Sequence, residues 1–367
     1  MGTRILRYFA GGNTAQGFYN LYDSNLADLD RVFILSGKSS REKSYIIEQL
    51  LEKWTEAGYT IEVIHRANDY QRLEGLIIRT LSFAVIDGDL PRAIGKEYVG
   101  SHWETIDMDQ ASRTANLDKS ENEISELTEK MEVAFDKAYQ AYAEGLRVHD
   151  DWERIYINQM DFEKANETIH KSIADLFPET KTCQRESDTK HRFLGAATSE
   201  GPIDYVDNIT EELKARYFLK GRAGTGKSTF LRKIVQEAKL RGYDIEVYHC
   251  GFDPKSLDMV VVRALGWAIF DSTKPHEYFP SRPGDEIIDM YELTIAPGTD
   301  ETFATEIAKI ESAYRKHMDA GKKYLAEAKV YQDELEEIYA EVTNHSYLAQ
   351  ILSEMDDELQ ELASEHK

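Results

Sequence analysis

The segment Gly221-Arg-Ala-Gly-Thr-Gly226-Lys227-Ser228, followed by Thr229, has residue types and spacing suited to chemistry on a phosphate. Glycines at 221, 224 and 226 let the backbone curl so that successive N–H groups converge, and a helix begun there adds its positive end. Lys227 is then placed to reach the distal phosphates of a nucleoside triphosphate and the Ser228 hydroxyl to bind Mg2+, with Arg222, Ala223, Thr225 and Thr229 in the same binding stretch. Asp271 closes the apolar run Gly266-Trp-Ala-Ile-Phe-Asp271 and is the expected acid beside that metal, a strand-end solvating residue being the plainer alternative. Asp253 has two readings: a base or orienting group for an acceptor hydroxyl, or the N-cap of a helix opened by Pro254. Lys227, Asp271 and Asp253 form the expected catalytic set. Arg222, Lys274 and Arg282 read as solvated charge, with phosphate neutralisation as the alternative. His249 and Cys250 read as structural, and Arg263, inside an apolar stretch, as buried with a carboxylate.

The Gly221 to Ser228 string matches GxxxxGK[ST] in full and resembles the Walker A motif of the P-loop NTPase superfamily. The whole chain resembles an uncharacterised family of tandem P-loop ATPase-like bacterial proteins through segments such as Phe193-Leu-Gly-Ala-Ala-Thr198 and Tyr248-His-Cys-Gly-Phe-Asp253. The resemblance implies ATP or GTP with Mg2+ as cofactors and casts Asp271 as the Walker B acid. Hydrolysis is expected somewhat ahead of phosphoryl transfer to a small molecule. Ser272 stands where many hydrolysing members carry a water-activating glutamate, so such a group must come from elsewhere. A nucleotide-gated interaction protein with slow turnover is the reading from a different class, and a purely structural coiled-coil protein would leave the intact loop unused.

These residues need elements to hold them. The spacing predicts a strand at Ala215–Leu219, a helix over Ser228–Arg241, a strand over 244–250, a helix over 254–265 and a strand over 266–271, an order that implies a parallel sheet with crossovers. The whole pattern occurs twice. Sliding the chain by 184 residues places Phe9, Gly37, Lys43, Ser44, His65, Asp69, Arg79, Asp87 and Pro91 on Phe193, Gly221, Lys227, Ser228, His249, Asp253, Arg263, Asp271 and Pro275. A shift of 183 then places Asp150 and Glu153 on Asp333 and Glu336. The expected fold is therefore α/β, duplicated, with halves 1–189 (α/β 1–110, helical 111–177) and 190–367 (α/β 190–298, helical 299–367), meeting in the polar segment 178–190.

The first half has Glu42 where the second has Gly226, and Ser40 where it has Gly224. A side chain there crowds the curl and a carboxylate repels a triphosphate, so one nucleotide per chain is expected, in the second half. Long apolar stripes, Ile124 to Tyr156 and Ile307 to Val342, predict coiled-coil-like helices that pair with each other, with a partner-binding arm or lid as the alternative.

Lys plus Arg number 44 and Asp plus Glu 67, a formal charge of −23 that disfavours nucleic acid and anionic membranes. Apolar residues make up 41%, enough for packed cores. The two cysteines, Cys183 and Cys250, form no CxxC pair, and no secretory or membrane signal is read, so a cytoplasmic location is expected.

Overall fold

A computed structural model describes residues 4–89, 103–111, 120–177 and 185–365. Cys183, Pro91 and residues 178–184 of the boundary segment lie outside that set.

In the first half the elements are β1 (Ile5–Tyr8), β2 (Gly11–Thr14), β3 (Gly17–Asn20), α1 (Asp23–Leu26), β4 (Arg31–Ser36), α2 (Ser40–Glu56), β5 (Ile61–His65), β6 (Leu73–Ile78), β7 (Phe83–Asp87), β8 (Trp103–Asp107), α3 (Glu121–Ile157) and α4 (Phe162–Leu176). The second half repeats them as β9 (Thr189–Phe193), β10 (Gly195–Thr198), β11 (Gly201–Asp204), α5 (Val206–Thr210), β12 (Ala215–Lys220), α6 (Lys227–Leu240), β13 (Ile245–His249), β14 (Leu257–Val262), β15 (Trp267–Asp271) and β16 (Asp285–Asp289). There follow α7 (Met290–Thr294), α8 (Thr299–Thr302), α9 (Ala304–Ala340) and α10 (His345–Glu365).

Each half builds a six-stranded sheet of the same order, β1-β5-β6-β7-β4-β8 and β9-β13-β14-β15-β12-β16. The sheets are mixed, not parallel: β6 and β14 run antiparallel to both neighbours. The helix expected over 254–265 is thus a turn followed by strand β14. Its six residues are all buried, and four of them run Met259-Val-Val-Val262. A fully buried strand loses the alternation that separates strand from helix, and β-branched residues favour the strand. Asp253 accordingly caps a turn, not a helix.

The helices are exchanged between the halves. One face of each sheet meets the other in a shared core, Tyr8, Ile64 and Ile86 joining Phe218, Tyr248 and Phe270. The outer face of the first sheet is covered by α2 and by α10 of the second half, through Leu348, Ile351, Met355 and Leu359. Reciprocally, Ile169 and Leu176 of α4 join α6 on the outer face of the second sheet. The two 37-residue helices α3 and α9 pair antiparallel, with Leu127 against Leu335 and Tyr339, Tyr142 against Leu325, and Ile155 beside Ile307 and Ile310. Gly321 permits a close approach, since a Cβ there would stand 2.2 Å from the Tyr142 ring.

A polar cluster lies in the middle. Arg192, 1% exposed, reaches Glu62 at 2.7 Å and Glu246 at 3.1 Å and stacks over Tyr8. Arg263, expected to be buried with a carboxylate, is half-buried and pairs with Glu246, as its twin Arg79 pairs with Glu62. Burial would push Glu62 up, but the charges of Arg192 and Arg79 hold it down at about 2.

Candidate functional site

The glycine loop follows β12 and opens α6. Gly224 and Gly226 adopt φ of +75° and +84°, left-handed values that favour glycine, and these open the backbone between strand and helix. Thr225 Oγ1 donates to the Arg222 carbonyl at 2.9 Å, closing the loop on itself. The Lys227 ammonium donates to the same carbonyl at 2.8 Å and stands 3.5 Å from Asp271 Oδ2. This juxtaposition follows from topology: β12 lies parallel to β15 with Leu219 opposite Asp271, so residues 44 apart in sequence meet at the carboxyl edge of the sheet. Asp271 also accepts from the Thr273 amide and hydroxyl at 3.0 and 2.6 Å. Ser228 Oγ accepts from Leu257 N–H at 3.0 Å.

Neighbouring groups come from several elements. Asp253 accepts from Lys255 N–H at 3.1 Å and from Gln16 Nε2, on the β2–β3 turn, at 3.3 Å. Arg222 pairs with Asp300 at 3.0 Å and lies over the Tyr291 ring. Arg282 donates to the carbonyls of Thr210, Glu211 and Leu213, holding the end of α5. Lys274 is exposed. His249 uses both ring nitrogens on protein partners, the Pro254 carbonyl at 2.7 Å and His191 at 2.9 Å.

Two contributions escaped the sequence reading. Asp258, at the start of β14, is buried beside Cys250 and Asp271; burial, then the Asp271 charge, push it up to about 7. Its signal was an acid within an apolar run, matched by Glu74 in the first half. The second is α3 of the first half, which lies on the loop: a Cβ at Gly224 would meet the Glu153 carbonyl oxygen at 2.4 Å, and one at Gly226 would meet Met160 at 3.6 Å. His149, Asp150 and Glu153 bring one ring nitrogen and two carboxylates within 4.8 Å of one another. Burial, and to a lesser extent the charge of Lys227, hold His149 down, against the pull of Glu153.

The first-half loop has a different shape. Helix α2 starts at Ser40, the counterpart of Gly224, whereas α6 starts at Lys227. Without the two left-handed glycines, residues 40–42 wind into an extra helical turn. Lys43 donates to the Gly37 carbonyl at 2.7 Å and pairs with Asp87 at 2.9 Å and with Asp89. Asp87 is also held by Arg66, and Asp89 accepts from Gly37 N–H at 2.6 Å. Ser44 takes the Leu73 amide at 2.9 Å and gives its own proton to Glu48 at 2.7 Å. The counterpart of Glu48 is Arg232, which offers no acceptor to Ser228.

No protein-family model, curated protein or solved structure matches the chain. Among the described residues, no helix is long and apolar enough to cross a membrane.

Proposed function

We propose that the second-half loop binds a nucleoside triphosphate, ATP or GTP, with Mg2+, and that the chain hydrolyses it, one nucleotide per molecule. The observation that carries this reading is the left-handed glycine loop at the N-terminus of α6 with Lys227 and Asp271 3.5 Å apart at its mouth. The residues present suit the groups they would hold. Loop N–H groups and Lys227 would hold phosphate oxygens, and Ser228 and Asp271, the latter's side chain 22% exposed, would hold the metal. The bound metal would neutralise charge building on the transferring phosphoryl group.

The first loop lacks the left-handed glycines, and its lysine is spent on Asp87 and Asp89, which supports a single site. Calorimetry should therefore give about one triphosphate per chain. Lys227→Ala should abolish most of that binding and Lys43→Ala should not. Equal effects, or a stoichiometry of two, would reject the reading.

The position of α3 against Gly224 favours a second reading, in which the nucleotide acts as a switch on the helix pair and turnover is slow. Arm mobility measured by hydrogen exchange with and without nucleotide separates the two, since an enzyme with fixed arms changes little. Phosphoryl transfer to an acceptor is tested by Asp253→Asn. Asn still accepts the Lys255 amide and keeps the turn, so transfer reduced roughly a hundredfold at unchanged nucleotide affinity would mark a general base. Full activity would remove Asp253 from the chemistry.

A further inference from the structure

The twin glutamates Glu153 and Glu336 meet the two loops differently. Glu153 belongs to α3 and touches the second loop through its backbone, while its carboxylate stands 3.8 Å from His149 Nδ1. Glu336 belongs to α9 and sends its carboxylate into the first loop. Its Oε1 accepts from Ser40 N–H at 2.7 Å and from Ser40 Oγ at 2.5 Å; its Oε2 accepts from Ser39 Oγ at 2.7 Å and from Arg41 N–H at 3.3 Å. Only 3% of Glu336 is exposed. The two amides it takes correspond to those of Gly224 and Thr225. They open the 17-residue helix α2, whose positive end favours an anion.

We propose that the first-half loop is an oxyanion-binding site whose resident ligand is the chain's own Glu336 carboxylate. A buried carboxylate is costly unless its lone pairs are satisfied, and four donors converge on this one. Gln332, one turn earlier on α9, donates to Ser40 Oγ at 3.2 Å and adds a neutral contact. A helix N-cap is ordinarily a local residue, and here Ser39 already fills that role by accepting from Glu42 N–H. The acid therefore adds a ligand to a helix end that is capped without it. The site is closed to external anions by occupancy, and its occupant ties α9 to the first half. This inference does not rest on the nucleotide reading.

The test uses full-length protein carrying Lys227→Ala, so that the second loop does not report phosphate. In that parent, Glu336→Ala should lower the thermal midpoint. Inorganic phosphate, compared with chloride at equal ionic strength, should restore about 2 °C or more beyond its general effect on the parent, and saturably. Adding Ser39→Ala and Ser40→Ala should erase that rescue. Should Glu336→Ala not fold, Glu336→Gln keeps the shape while turning an amide group toward the donors. Hydrogen exchange at Ser40 and Arg41 should then accelerate about tenfold or more. A phosphate response no larger than the parent's, or unchanged exchange at Ser40 and Arg41, would overturn the proposal.

Discussion

Asp271 and Asp87 end equivalent strands, yet their surroundings assign them different work. Asp87 is fully buried between Lys43 and Arg66, while Asp271 faces Lys227 and keeps a path to solvent. Asp87→Asn should therefore cost stability, about 3–5 kcal/mol, because it removes the buried acid that Lys43 and Arg66 share. If the proposed nucleotide reading holds, Asp271→Asn should instead weaken the magnesium dependence of binding with little loss of stability. Denaturation and magnesium titration of the two variants check this, and matching behaviour would contradict it. Glu62 makes a second case. Its folded value of about 2 lies below the ordinary 4.5, so its contribution is complete above pH 4.5 and is lost as pH falls through about 2. Arg192→Met removes one of the charges that hold Glu62 and Glu246 down, so acid unfolding should begin at higher pH than in the parent. Equilibrium denaturation from pH 7 to 2 reads this directly.

At the scale of elements, the helix pair depends on a glycine. Alanine is favoured over glycine inside a helix by about 1 kcal/mol. At Gly321, however, the new Cβ overlaps the Tyr142 ring, which is buried against the opposing helix. Overpacking costs about 1–3 kcal/mol and wins, so Gly321→Ala should destabilise by a net 0–2 kcal/mol where propensity alone would stabilise. Chemical denaturation decides the sign. The long helices themselves were legible because an apolar stripe repeats over many turns, and the loop, Lys227 and Asp271 were legible because glycine spacing and strand order are local. Strand β14 was not, since burial on both faces erased its alternation. Nor was the seat of Glu336: the repeat aligned it with Glu153, but which loop a distant helix side chain enters is set by packing between halves, not by any pattern within either. The first loop was half legible. Glu42 and Ser40 announced the loss of the open curl, whereas its replacement by a helical turn closed from α9 required the fold.

At the scale of the molecule, neither half is self-sufficient. In α10, Leu348, Ile351, Met355 and Leu359 are buried against the first sheet, and burial of four such side chains contributes on the order of 6–12 kcal/mol. Fragments 1–177 and 185–367 expressed singly should expose these faces and aggregate. Co-expressed, they should form a stable 1:1 complex, as size-exclusion chromatography with mass measurement would report. Two fragments that are each monomeric and cooperatively folded would contradict the exchange of helices.

That exchange bears on how such a chain arises. A polypeptide of one half-length, with its own loop and its own long helix, would bury its exposed faces only against a second copy, each lending its helices to the other: a homodimer with two identical loops. One coding sequence cannot change one subunit and spare the other. Joining the copies end to end lifts that constraint, so one loop can wind into a helix and accept Glu336 while the other keeps its glycines. Two halves within one chain can thus keep a common frame and still differ where the loops do.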